Sequence, residues 1–196
     1  MSVKRKLRSR LLSAYVSPQV RRKQRGWHET KRKLAGKPHV VSAFLQLDDP
    51  WSYLLSAYLP ALTEHYDIEL RVYLSQALGD EFQPAPEMLA EYAATDCRRV
   101  AAELGLPFLD RGKVPPVEFR CGLLEALEGN ANDPRFADEL REVLEIYWRG
   151  DNESAARRAV SSTVGNADAV IAQAQETLQK LGHYNTCLLY TSDAAD

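Results

Sequence analysis

The side chains with the clearest capacity for chemistry stand together in the segment Asp48-Asp49-Pro50-Trp51-Ser52. The Asp49 carboxylate could act as a general base, which requires a suitable pKa and a position close to the proton that it removes. The same carboxylate could instead cap the first turn of a helix, a role that contributes about 1 kcal/mol and is common for Asp. The sequence favours the helix-capping role of Asp49 and leaves the general-base role as an alternative. Ser52 could contact a ligand weakly, although a serine in a first helical turn is also ordinary.

This segment joins a predicted strand to a predicted helix. The apolar run Val41 to Leu47 predicts a strand that is covered on both faces. Pro50 suits the first helical position, where no backbone donor is needed. Apolar residues then recur at helical spacing, namely Trp51, Leu54, Leu55, Tyr58, Leu59 and Leu62. The alternating segment Ile68 to Leu74 predicts a second strand, parallel to the first because a helix connects them. Unpaired amides at the helix start should therefore point at the segment 49–52.

From Pro86 onward the hydrophobic spacing is helical and remains so to about Leu181. One apolar stripe covers Met88 to Leu104 and is closed by Gly105. Four more helices are predicted around Leu123 to Leu127, over Phe136 to Trp148, from near Glu153, and from Ala167 to Leu181. The pattern predicts a helical domain that is inserted after the second strand.

Four stretches resemble, in the same order, the DsbA-like group of thioredoxin-fold proteins that includes 2-hydroxychromene-2-carboxylate isomerases and kappa-class glutathione transferases. They are FLQLDDPWSYLLSAYLPAL, PEMLAEYAATDCRRVAAELGLPF, EIYWRGDNES and LQKLGHY. The resemblance implies an α/β, thioredoxin-like fold with an inserted helical domain. Residues 39–80 would form the β-α-β half, 81–165 the insertion, and 166–186 the return helix of the thioredoxin-like domain.

The resemblance also implies a site. In the glutathione-using relatives a serine stabilises the cofactor thiolate at the position that Asp49 holds here. The resemblance therefore implies catalytic roles for Asp49 and Ser52, cofactor contacts from Pro50, Trp51 and Ser52, and glutathione as the cofactor. Asp49 could accept the proton of a bound thiol but, when ionised, would repel a thiolate. Because the segment contains no cysteine, thiol–disulfide exchange is not expected.

The chain departs from the group where relatives contact glutathione. Residues 82–86, Phe-Gln-Pro-Ala-Pro, replace an Asn-Pro-Pro-like turn, and Val117-Glu118 replaces an Asn-Thr pair. Two functions therefore stay open. The first is a glutathione-dependent isomerase or transferase that acts on a small-molecule substrate. The second is a non-catalytic thioredoxin-fold binding protein, and a homodimer is compatible with either.

The charge is divided between a basic arm and an acidic body. Residues 1–37 hold 13 Lys and Arg against one Glu, whereas residues 38–196 hold 12 against 26 acids. The arm, residues 1–38, is expected to be a solvated terminal extension. The alternative is docking on an anionic membrane, with Leu11, Leu12 and Trp27 as apolar contacts. Nucleic acid is an unlikely partner, because a basic arm without a recognisable fold specifies no sequence.

The remaining composition excludes several classes of protein. The three cysteines, Cys97, Cys121 and Cys187, are widely spaced, and the four histidines lack ligand spacing, so neither a disulfide scaffold nor a metal site is expected. Cys97 and Cys121 are expected in the core. No apolar leader or membrane span is visible, which predicts a cytoplasmic protein.

The last ten residues, CLLYTSDAAD, resemble the translation of a sequencing-library adapter. We expect residues 187–196 to be a non-native tail, so that the C-terminal strands and helix of a thioredoxin-like fold are missing and the natural protein continues beyond Thr186. An open sheet edge and poor solubility would follow.

The coding DNA tests this interpretation of the tail. We predict that residues 187–192 are encoded by TGT CTC TTA TAC ACA TCT, since the adapter fixes the nucleotides and not only the amino acids. Sequencing the gene is the measurement, and other codons for these six residues would contradict an adapter origin.

Overall fold

The computed structural model describes residues 17–76, 85–106, 108, 117–161, 167–183 and 187–191. In this part of the chain seven helices and three strands follow one another. They are α1 Pro18–Leu34, β1 Val40–Leu45, α2 Pro50–His65, β2 Glu69–Leu74, α3 Pro86–Leu104, α4 Val117–Glu125, α5 Phe136–Arg149, α6 Asn152–Ser161, α7 Ala167–Lys180 and β3 Leu188–Thr191. The described residues belong to two compact units, one containing residues up to Val40 together with Thr191, and the other running from Val41 to Tyr190.

The three strands form one sheet in the order β2-β1-β3. All of β1 is buried except Val40, as its apolar sequence predicts. The Ser75 amide, which follows β2, donates a hydrogen bond of 2.7 Å to the carbonyl of Leu45 at the end of β1. The carboxyl ends of β1 and β2 thus lie at the same sheet edge, as parallel strands require. The predicted β-α-β unit is present, with α2 as its crossover.

The core of the second unit is built around α5. One apolar face of this helix is buried against α2 and β2, and it comprises Phe136, Leu140, Val143, Leu144, Tyr147 and Trp148. Burying each such side chain stabilises the fold by about 1.5–3 kcal/mol relative to exposing it. The Trp148 indole also donates to the carbonyl of Leu47, at 3.2 Å. This bond joins α5 to the loop that follows β1.

The opposite part of the core is smaller and is covered by α7. Val170, Ala174 and Leu178 recur every four residues on this helix and are buried, and α7 packs on β2. The rings of Phe44 and Tyr73, on neighbouring strands, are stacked with centroids 4.7 Å apart. The helix predicted from Ala167 is therefore confirmed.

Two predictions about helix faces are wrong in part. Ala93, Cys97 and Ala101 on α3 are buried as expected, but Met88 and Tyr92 near the start of that helix are 72% and 64% exposed. Cys121 on α4 is exposed, whereas it was expected in the core. Leu123 takes the core-facing position of α4, and a residue two positions earlier lies about 200° around a helix and therefore faces away.

The prediction for the last ten residues needs a correction. Leu188–Thr191 was excluded from the fold, yet it forms β3 beside β1. The segment Leu-Leu-Tyr-Thr contains residue types that suit a half-buried strand, and Tyr190 is buried against Phe44, Ala174 and Leu178. β1 is thus the central strand of the three, with β2 on one side and β3 on the other. The adapter origin of these residues stays a prediction.

The described part of the first unit is essentially one basic helix, α1. The Ser17 hydroxyl accepts a hydrogen bond from the Val20 amide and caps its start. Residues 18–34 of the basic arm are thus helical, while Leu11 and Leu12 lie outside the described residues. None of the helices in the described part of the chain combines the length and the apolar character needed to cross a lipid bilayer.

Candidate functional site

The junction between β1 and α2 has the geometry of a capped helix start. Asp49 has extended backbone angles, φ −100° and ψ 118°, and its carboxylate accepts hydrogen bonds from the amides of Trp51 at 3.4 Å and Ser52 at 2.8 Å. Pro50 occupies the first helical position. The predicted cap is therefore confirmed, and Asp49 satisfies two of the amides that the helix leaves unpaired.

Ser52 connects the two elements of the junction. Its side chain is fully buried, and its hydroxyl donates to Asp49 Oδ2 at 2.7 Å while accepting from the Gln46 amide at 2.9 Å. The single hydroxyl proton is thus directed at Asp49. A ligand could receive a hydrogen bond from Ser52 only if that proton left Asp49, so the predicted ligand contact would compete with the junction itself.

A second carboxylate attaches the helical insertion to the same loop. Asp48 accepts from the Gln46 side-chain amide at 2.7 Å and from Arg120 Nη1 of α4 at 3.0 Å. Burial raises the pKa of the nearby Tyr147 to about 12, and the Asp48 charge acts in the same direction while Arg120 opposes it. Arg120 was not predicted from the sequence, because it lies 72 residues from its partner and no local pattern marks it.

Trp51 and Pro50 have packing roles in the junction. Pro50 is buried, and Trp51 is half-buried against a small cluster of Leu54 from its own helix with Cys97 and Ala101 from α3. The contact joins the first turn of α2 to the helical insertion. Their predicted cofactor contacts stay predictions.

Two thiols lie beside the Asp49 carboxylate. The Cys187 thiol lies near Ser52 and Asp49, and burial raises its pKa to about 12; the Asp49 charge adds to the rise, and Ser52 opposes it. Burial likewise raises the pKa of Cys97 to about 12, with smaller additions from Asp49, Cys187 and Asp96. Both thiols are therefore protonated at neutral pH. The junction holds a thiol next to a carboxylate and disfavours the thiolate.

These contacts allow a test of fit for glutathione at its thiol end. The Cys187 thiol is close enough to Asp49 and Ser52 for both side chains to influence its pKa. A bound thiol would find an acceptor in Asp49 but no unengaged donor, since the Ser52 proton and the Trp51 and Ser52 amides are directed at Asp49. The junction thus fits a neutral thiol and not a thiolate.

A separate cleft of about 720 Å³ lies between α2, β2 and α5, and its described lining includes neither Asp49 nor Ser52. Four of its charged side chains form two ion pairs, Arg71 with Glu69 at 2.6 Å and Arg141 with Asp138 at 3.1 Å, and Glu64 also lines the cleft. Within the described residues, no group of three or more His, Cys, Asp or Glu side chains is arranged to hold a metal ion. The junction is therefore the better candidate for chemistry.

Comparisons with known proteins support the fold. No protein-family model matches the chain, and no curated protein sequence matches it. Among solved structures, the chain is similar to a 2-hydroxychromene-2-carboxylate isomerase, with a TM-score of 0.52 and 13% sequence identity over 79% of this chain and 86% of that one. This likeness supports a DsbA-like, mixed α/β fold of the predicted family type, and at such low identity it shows the fold alone.

The three cysteines should differ sharply in reactivity at pH 8. Cys97 and Cys187 should react with iodoacetamide far more slowly than the exposed Cys121, because a rise in pKa from 9.0 to about 12 lowers the thiolate fraction by about 10³. Mass spectrometry of timed samples measures each rate. Asp49→Asn removes one charge that disfavours both thiolates, so it should accelerate Cys97 and Cys187 without affecting Cys121. Equal iodoacetamide rates for Cys97, Cys121 and Cys187 would contradict the burial of Cys97 and Cys187 near Asp49.

Proposed function

We propose that this chain is a DsbA-like thioredoxin-fold enzyme that binds glutathione at the start of α2 and uses it to isomerise, or to transfer glutathione to, a small-molecule substrate. The observation that carries the proposal is the hydrogen-bonded pair of Asp49 and the buried Ser52 at the start of α2, the position at which the resembled group holds its cofactor sulfur.

Within this proposal, Asp49 acts as the general base. Its negative charge favours the protonated form of a neighbouring thiol, so the thiol would keep its proton until the sulfur reacts. Glutathione, when bound, supplies a nucleophilic sulfur. Asp49 would take the thiol proton at one carboxylate oxygen as the sulfur attacks. In an isomerisation it would return the proton to the sulfur when the C–S bond breaks, and in a transfer it would release the proton to water after the leaving group has departed. Ser52, by donating to Oδ2, would fix the orientation of that carboxylate.

Redox exchange is not part of the proposal. The first turn of α2 contains no cysteine, so no disulfide can form there between two residues of one motif. The thiols of Cys97 and Cys187 have raised pKa values, the opposite of what a reactive redox cysteine needs. The helix start therefore suits a bound thiol cofactor better than a catalytic thiol of its own.

A second candidate is a non-catalytic thioredoxin-fold binding protein whose basic arm engages an anionic partner. The hydrogen bonds of Asp49 favour it, because the carboxylate already accepts from two amides and one hydroxyl. A helix-capping role alone is enough to explain a carboxylate with these hydrogen bonds. Under this candidate the junction would be structural.

Calorimetric titration with glutathione distinguishes the two candidates. The first predicts binding by the unaltered chain and a loss of about tenfold or more on Ser52→Ala, because the Asp49 carboxylate would lose its orientation. Ser56→Ala is the matched control, since Ser56 is also buried on α2 but donates to the Tyr53 carbonyl. S-methylglutathione, which has no thiol proton to donate, should bind more weakly than glutathione. Absence of glutathione binding would support the second candidate.

The Asp49→Asn variant distinguishes a helix-capping role of Asp49 from a general-base role. Asn caps a helix about as well as Asp, so the free energy of unfolding should change little. Conjugation of glutathione to an aryl halide should nevertheless slow by about 10² or more, because the amide cannot accept the thiol proton. An unchanged conjugation rate would show that Asp49 serves only as a helix cap.

A further inference from the structure

The helix α1 carries an unusually high positive charge. Over Pro18–Leu34 it holds seven Lys and Arg against one acid, Glu29. Glu29 is paired with Arg32 at 2.7 Å and Lys33 at 3.3 Å. The helix therefore keeps a net charge of +6, and residues 1–16 add five more Lys and Arg in sequence. A surface with this charge is complementary to a polyanion.

The same helix has a narrow apolar line. Val20, Trp27 and Leu34 are seven residues apart, which places them within about 40° of one another around the helix. Trp27 is 62% exposed and Leu34 is 85% exposed. The ammonium group of Lys31 lies 5.3 Å from the centre of the Trp27 ring. Exposed apolar side chains thus share the surface of α1 with cations.

An anionic lipid bilayer satisfies both features at once. At the bilayer interface, Lys and Arg can pair with lipid phosphates while Trp and Leu side chains enter the boundary with the acyl chains. A single-stranded RNA could pair with the cations and stack on Trp27, but it would offer no apolar environment to Leu34. Since three apolar residues form only a shallow anchor, binding should need the anionic lipid.

We propose that α1 docks on anionic membranes, lying along the interface with Trp27 and Leu34 inserted and the flanking cations Lys23 and Lys31 at the lipid phosphates. Lys23 and Lys31 each lie about 40° around the helix from Trp27, whereas the cations on the other faces of this helix, which is about 25 Å long, add only longer-range attraction. This function is separate from glutathione binding, which uses the start of α2.

Vesicle flotation with the whole chain tests the proposal, because bound protein rises with the vesicles while aggregates sink. The chain should float with phosphatidylcholine vesicles that contain about one third phosphatidylserine, and not with phosphatidylcholine alone. Raising the salt to about 0.5 M should weaken flotation, since it screens the charges.

Matched variants assign the binding to α1. Trp27→Ala combined with Leu34→Ala should lower the vesicle partition coefficient about tenfold or more. Met88→Ala with Leu89→Ala, which removes two exposed apolar side chains from α3, should leave it unchanged. Lys31→Gln should weaken binding, whereas Lys180→Gln on α7 should not. Circular dichroism checks that each variant keeps its helix content.

Three results would overturn the proposal. They are equal flotation with neutral and anionic vesicles, flotation that is insensitive to the Trp27 and Leu34 pair, and tighter binding to a single-stranded RNA oligonucleotide than to the vesicles with no effect of Leu34→Ala. All α1 variants should bind glutathione as the unaltered chain does, so failure here is distinguishable from failure of the proposed enzyme function.

Discussion

The hydrogen bonds of the buried Ser52 hydroxyl hold the junction on which the rest of this structure depends. By donating to Asp49 and accepting from the Gln46 amide, Ser52 ties the end of β1 to the first turn of α2. Asp48, in the same loop, then binds Arg120 of the helical insertion. Strand end, helix start and insertion therefore meet within a few residues. Because Ser52 is fully buried, losing either bond would leave a polar group without compensation from water.

These bonds also limit the chemistry that the junction can perform. Burial raises the pKa values of Cys97 and Cys187, and the Asp49 charge adds to the rise, so the junction favours a thiol over a thiolate. A protein that needed a stabilised thiolate would place a hydrogen-bond donor there. In this chain the donors at the helix start are directed at Asp49. The proposed function therefore uses Asp49 as a proton acceptor. If Asp49 does not accept a proton, its role is helix capping alone.

Local signals made much of the fold predictable from the sequence. The Asp-Pro cap, the apolar run of β1 and the periodic apolar faces of α5 and α7 are each determined within one segment. The start of α3 was mispredicted because periodicity identifies the apolar face of a helix but not whether another element covers it. The bond between Asp48 and Arg120 and the approach of Cys97 to Asp49 depend on how distant segments fold together, so no local pattern encodes them. Pairing of Leu188–Thr191 with β1 was missed because these residues were excluded on the grounds of their origin.

The interaction between Asp49 and Ser52 can be measured directly. A double-mutant cycle of Asp49→Ala, Ser52→Ala and the double variant, measured by chemical unfolding near pH 7, gives the free energy of interaction between the two side chains. If the Ser52 hydroxyl holds the junction through Asp49, the coupling should be about 1–2 kcal/mol, as expected for a buried hydrogen bond to a charged group. Single-variant effects that add to within about 0.3 kcal/mol would show that the two side chains act independently and would contradict the account.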